Sequence, residues 1–283
     1  MKISVCGKGG SGKSTIVTLL SNEARRRGYR VLVVDSDESN SGLFRILGFD
    51  QVPIPLMELV GGKKKVIKKM TRDFSSGDSE KGKTVMMQDT IGIDDIPADY
   101  MRKRDNLGLV CIGKILQSLE GCACPMGVLS REFLKKLRLK EDELAIVDME
   151  AGVEHFGRGV ETSIDSVLIV VEPPFESVEV AERIHSLATG IGIENVWAIL
   201  SKVPSDEIAT KLREKLEERG INVVGCVHFD PEIFESSIEG GALGKGRAAE
   251  EMGEALDCML ARAGSQTDLS APVSPKGGVQ RRV

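Results

Sequence analysis

Short apolar runs rich in valine and isoleucine alternate with stretches whose apolar residues recur at helical spacing, through most of the chain. The runs at 2–6, 30–35, 107–112, 144–148, 166–171, 196–200 and 221–227 are nearly continuous in apolar character, as strands covered on both faces are. Helical patterns at 14–27, 129–137, 177–187, 206–218 and 247–262 follow most of them. This order predicts an α/β fold, a doubly wound and mostly parallel sheet with right-handed crossovers. Ligands of such sheets sit outside the carboxyl ends of the strands, so chemistry is expected where the apolar runs stop.

Two stretches break the rhythm. Residues 61–106 are polar and carry a basic cluster at Lys63, Lys64, Lys65, Lys68 and Lys69. The plainer reading is a solvated surface excursion, the sharper one a docking surface for an acidic partner. Residues 264–283 are rich in Ser, Pro and Gly with almost no large apolar side chains, which predicts a disordered tail. The remainder, 1–263, is expected to form a single domain. Composition narrows the function. A net charge of −5 and an aromatic content of 4% argue against nucleic acid as a partner, which asks for basic surface and stacking rings. No apolar stretch approaches a membrane span, and the tail lacks the amphipathic pattern of a membrane-binding helix. The chain runs directly into its first strand, which points to the cytoplasm. There the six cysteines read as packing residues or metal ligands rather than disulfides.

The first apolar run ends in Gly7-Lys8-Gly9-Gly10-Ser11-Gly12-Lys13-Ser14-Thr15. The loop fits the pattern G-x-x-x-x-G-K-[ST], in which backbone N–H groups curl around a polyphosphate. Lys13 would reach the terminal phosphates and the Ser14 hydroxyl would ligate Mg²⁺. Strand before and helix after give the match its context, and the expected ligand is a nucleoside triphosphate. Two further apolar runs end in acidic pairs, Asp35-Ser36-Asp37 and Asp148-Met149-Glu150. An acid that ends a strand beside a phosphate loop can hold Mg²⁺, directly or through water; Asp148 is the candidate. Asp37, two residues beyond its strand, is placed to orient or deprotonate the attacking water.

Lys8 is an additional lysine on the lip of the loop, less well placed than Lys13 for the phosphates of its own subunit. K-G-G-x-G-K-[ST] resembles the deviant Walker A ATPases, P-loop proteins that include the MinD/ParA positioning ATPases, the nitrogenase iron protein and metal-cluster assembly factors. The resemblance implies ATP hydrolysis by a homodimer in which Lys8 reaches the partner's nucleotide, a charge supplied in trans as an arginine finger is.

Cys122-Ala123-Cys124-Pro125 is the second constellation. Alone it is weak, since composition produces a C-x-C pair on the order of once in eight such sequences. Pro125 biases Cys124 toward extended backbone, where residues i and i+2 face the same way, so both sulfurs can reach one metal ion. Two thiolates fall short of a closed tetrahedral site, and a two-fold dimer would double them. Cys6, Cys111, Cys226 and Cys258 are expected to be buried as small hydrophobes. His155 reads as a structural hydrogen-bonding residue.

Glu120-Gly121-Cys122-Ala123-Cys124-Pro125-Met126-Gly127 with Arg131-Glu132-Phe133-Leu134, and the stretch from Asp148-Met149-Glu150-Ala151-Gly152-Val153 to Gly159, resemble the CooC-type ATPases that mature carbon monoxide dehydrogenase. With the phosphate loop, the resemblance spans about 1–260. It implies a homodimer binding nickel or zinc through its C-x-C pairs and using ATP to support nickel insertion into carbon monoxide dehydrogenase. Relatives commonly carry Asn-Lys before the adenine-contacting region; here the pair is Ser201-Lys202, and the segment Phe229-Asp230-Pro231-Glu232 resembles the later adenine loop. Lys202, Asp230, Pro231 and Glu232 are therefore expected on the base side of the nucleotide. Two alternatives stand beside this reading: a positioning ATPase with no metal, and an electron-transfer ATPase with a bridging iron–sulfur cluster.

Overall fold

The structure is a computed structural model that describes residues 1–37, 42–62, 86, 88–113, 124–153, 163–243 and 246–267. In chain order these form β1 (Lys2–Gly7), α1 (Lys13–Arg26), β2 (Arg30–Asp35), α2 (Leu43–Ile46), α3 (Leu56–Leu59), β3 (Met101–Arg104), β4 (Leu107–Cys111) and α4 (Cys124–Lys136). There follow β5 (Glu143–Asp148), β6 (Ser166–Val171), α5 (Phe175–Gly190), β7 (Asn195–Val203), α6 (Asp206–Glu217), β8 (Asn222–His228), α7 (Pro231–Glu239) and α8 (Arg247–Thr267).

The strands make one sheet in the order β3-β4-β2-β5-β1-β6-β7-β8. Every neighbouring pair is parallel except β3 with β4. Strand residues alternate between two cores. Ile3, Val5, Val31, Val33, Leu144, Ile146, Leu168 and Val170 pack on the face covered by α1 and α8. Leu32, Val34, Ala145, Val147, Val167, Ile169 and Val171 pack on the opposite face with residues of α4, α5 and α6. Burial on both faces explains the nearly unbroken apolar runs. The chain moves from β1 outward to β2 and returns through β5 before building β6 to β8 on the other side. The carboxyl ends of β5, β1 and β6 therefore define the switch point where such sheets take ligands.

Parts of the sequence reading need correction. The stretch 61–106, read as a polar excursion, enters the fold in its later part: Ile91, Ile93, Ile96 and Met101 are buried, and β3 pairs with β4 as an antiparallel edge. Arg102, Lys103 and Arg104 concealed that strand, because a charged edge strand buries little and resists pairing with other chains. The last helix runs to Thr267, four residues into the expected disordered tail. The basic residues 63–69, His155 and the residues after 267 lie outside the described residues.

Candidate functional site

The phosphate loop leaves β1 at its carboxyl end and enters α1 through Gly12, whose φ of 94° lies in the left-handed region open to glycine. A side chain there would bring its Cβ to 3.1 Å from Ser201 Oγ. At Gly7, φ 149°, a Cβ would meet the Val170 carbonyl oxygen of β6 at 2.5 Å. The loop is thus pressed between two neighbouring strand ends, and glycine is required for the fit. The Ser11 N–H donates to the Lys8 carbonyl at 3.2 Å, and the Gly152 N–H donates to the Gly7 carbonyl at 3.2 Å, so the chain after β5 leans on the loop. Gly9 and Gly10 are exposed, and Lys13, Ser14 and Thr15 open α1. A helix N-terminus with exposed backbone N–H groups before it attracts phosphate.

Lys13 is buried, its Nζ donating to the Lys8 carbonyl at 3.4 Å. The Ser14 hydroxyl donates to Asp148 Oδ2 at 2.8 Å. Asp148 ends β5 fully buried, and its Oδ1 has no hydrogen-bond partner among the described residues. The register of β2 on β5 sets Asp35 beside it, and Asp37 is buried close by. Burial first, then the charges of Asp35 and Asp37, push the Asp148 carboxyl up to about 7, against the opposing Ser14 hydrogen bond and the Lys13 charge. A buried carboxylate crowded by two others and left with an orphan oxygen calls for a cation. Ser14 and Asp148 therefore fit a magnesium ion, which would neutralise charge on the phosphate oxygens when bound.

The structure brings the loop, Lys8, Lys13, Ser14, Asp37 and Asp148 to one edge. Lys202 joins them: its Nζ donates to the Gly10 carbonyl. It is the unpaired residue at an irregularity of β7, where Ser201 pairs with Val227 and Val203 with His228, and its φ is 56°. Bulges re-aim side chains in this way. Asp230 caps α7, its Oδ1 accepting from the Glu232 N–H at 2.9 Å, with Pro231 in the first turn. This carboxylate is spent on shaping the loop, while Pro231 and Glu232 are exposed.

The cysteine geometry differs from expectation. Cys124 is the first residue of α4, so its backbone is not extended. Proline is tolerated in the first turn because its missing N–H would have no partner there, and Pro125 starts a helix rather than prolonging a strand. Cys122 and the Cys124 side chain lie outside what the structure describes. Among the described residues no cluster of three or more His, Cys, Asp or Glu is arranged to hold a metal ion. Cys6 and Cys111 are buried as expected, whereas Cys226 and Cys258 are only partly so. Asp35 is a site residue that the sequence alone does not single out. Asp35 was visible in Asp35-Ser36-Asp37, but only strand register shows that it faces Asp148.

A glycine-pressed loop, a buried lysine and an acid-ended strand at the switch point of a parallel sheet define a P-loop nucleotide-binding protein. The chain belongs to the CobQ/CobB/MinD/ParA nucleotide binding domain family, which it matches over residues 3–243. It is 41% identical over 243 residues to an uncharacterized ATP-binding protein of Methanocaldococcus jannaschii, covering 86% of this chain and 94% of that one. It is 30% identical over 237 residues to the carbon monoxide dehydrogenase accessory protein CooC of Rhodospirillum rubrum, covering 82% of this chain and 85% of that one. The septum site-determining protein MinD of Pyrococcus horikoshii, solved with Mg-ADP, matches with a TM-score of 0.66 at 17% identity, covering 96% and 99% of the two chains. That likeness is one of fold. The protein is an ATPase of the MinD/ParA class.

Proposed function

We propose that this ATPase is a homodimeric metallochaperone supporting nickel insertion into carbon monoxide dehydrogenase, with nickel or zinc held between two subunits by Cys122 and Cys124 of each. The resemblance of the cysteine segment to CooC-type proteins and the 30% identity to CooC support the cargo. One structural observation carries the coupling. Ser36 lies between Asp35 and Asp37; its N–H donates to the Asp148 carbonyl at 3.0 Å, and its hydroxyl donates to Ser130 Oγ at 3.0 Å. Ser130 is buried in α4, the helix that begins at Cys124. A shift of the β2 end on nucleotide binding therefore pulls directly on the helix that adjoins the cysteine pair.

In this mechanism Lys13 and the loop hold the phosphates, Asp37 orients the attacking water, and Lys8 from the partner stabilises charge developing on them. Dimer closure and hydrolysis change the geometry of the shared thiolates, which bind metal only when deprotonated. Ser130→Ala removes the Ser36 link by deleting the hydroxyl alone, without overpacking this buried position. It should change ATP hydrolysis by no more than about tenfold, the ceiling that loss of one neutral hydrogen bond away from the phosphates sets. It should abolish the difference in metal affinity between the ATP and ADP states, read by competition with a chromogenic chelator. The function itself is tested with nickel-free carbon monoxide dehydrogenase at limiting nickel. ATP and this protein together should activate the enzyme, and Cys122→Ser/Cys124→Ser should not. Equal activation by the double variant would refute the cargo, and activation without ATP would refute the coupling.

A further inference from the structure

Glu172, the first residue beyond β6, stands between two lysines at the rim of the phosphate loop. Its Oε1 lies 3.5 Å from Lys8 Nζ and its Oε2 4.0 Å from Lys202 Nζ. The Glu172 side chain is 15% exposed, against 34% for Lys8. Its backbone N–H donates to Ser177 Oγ at 3.1 Å, and Pro173 and Pro174 follow, so the residue is held at a stiff turn into α5. The two lysines are tied differently. Lys202 is also bonded to the Gly10 carbonyl and belongs to the loop's own frame. Lys8 meets Glu172 at the end of a long flexible stem.

We propose that Glu172 is a positioning residue for Lys8, keeping its ammonium in its own subunit until the partner's nucleotide competes for it. The inference rests on reading Lys8 as a charge supplied in trans. At 3.5 Å and with its own side chain 34% exposed, Lys8 is held weakly, whereas a triphosphate offers several charged oxygens. Losing the only cation would leave a mostly buried carboxylate stranded at considerable cost. Glu172 avoids this because Lys202 stays beside its second oxygen when Lys8 departs. The exchange is therefore cheap when a partner's nucleotide is present and has no driving force without one. Glu172 also keeps Lys8 away from the triphosphate of its own subunit, which Lys13 already serves.

Glu172→Gln keeps the shape and the bond to Ser177 but releases Lys8. Two measurements on the full chain separate the proposal from the reading beneath it. The first is the acylation rate of the Lys8 amine, read by peptide mass spectrometry, without nucleotide and with a non-hydrolysable ATP analogue. The second is the analogue concentration for half-maximal dimer formation, read by sedimentation velocity. Without nucleotide, Glu172→Gln should label Lys8 faster than wild type. Its dimerisation midpoint should fall roughly two- to fivefold, the range that an exposed ion pair spans. Glu172→Asp, which keeps the charge, should lie between the two. Saturating analogue should protect Lys8 in all three chains. Equal labelling of wild type and Glu172→Gln without nucleotide overturns the proposal and leaves the trans-lysine reading intact; so does an unmoved midpoint. Failure of the analogue to protect Lys8 in wild type overturns the trans-lysine reading itself.

Discussion

Asp148→Asn should abolish magnesium-dependent ATP hydrolysis and, at the same time, raise the thermal stability of the nucleotide-free chain at pH 8. The two effects share one cause. Burial, Asp35 and Asp37 lift the Asp148 carboxyl from an ordinary value near 3.8 to about 7. A group whose folded pKa is raised stabilises the fold fully below its unfolded value, and that stability is lost as pH climbs through the folded value. The nucleotide-free chain therefore weakens between about pH 4 and 7, by up to about 4 kcal/mol at 1.36 kcal/mol per unit. A domain of this size gains about 2–4 °C in melting temperature per kcal/mol. Asparagine carries no charge to desolvate, so the variant should lose this slope and melt several degrees higher at pH 8. Magnesium and nucleotide supply the missing cation, so wild type should recover stability above pH 7 when both are added, and Asp148→Asn should not. The check is a melting series from pH 4 to 8 for both chains. Parallel profiles would show that Asp148 is not strained by its neighbours.

Lys13→Ala should lower kcat roughly 10²–10³-fold, the cost of one preorganised donor on developing phosphate charge. Its buried ammonium lies next to the loop that it serves, so the loss falls on the subunit that carries the substitution. Lys8→Ala should be comparably inactive for a different reason, because the missing charge is the one given to the partner. Mixing the two inactive chains separates these roles. In a mixed dimer the Lys8→Ala subunit retains Lys13 and receives Lys8 from its partner, which makes one complete site. Random pairing in equal amounts gives mixed dimers in half of cases, so hydrolysis should return to about a quarter of the wild-type rate under two-fold symmetry. A mixture as inactive as its components would place both lysines at the same subunit's nucleotide.

Much of the fold was legible because its strands are buried on both faces. Val31 to Val34 and Val167 to Val171 are apolar at every position and packed at every position. The phosphate loop was equally plain, since its glycines answer contacts made by strand ends that any such loop would meet. What the sequence concealed depends on distant partners. The edge strand β3 reads as charge except at Met101, and it forms because Asp105, at φ 52°, turns the chain back onto β4. Helix α7 carried its own signals, an Asp230 cap and Pro231 in the first turn, but its apolar pair Phe234 and Ile238 is exposed, so that pair adds no core packing. Glu172 draws its meaning from Lys8 and Lys202, far away in sequence. The extended reading of Cys124 failed because proline next to a cysteine fits a helix start as well as an extended strand.

We propose that ATP turnover is coupled to a metal ion shared by two copies through Cys122 and Cys124 of each. Native mass spectrometry of wild type and Cys122→Ser/Cys124→Ser, titrated with nickel or zinc in the presence of ADP or a non-hydrolysable ATP analogue, tests it most directly. Wild type should take up about one ion per dimer, as two C-x-C pairs completing one four-coordinate site require, and the double variant should take up none. Equal uptake by both chains, or one ion on each monomer, would contradict a site shared across the dimer.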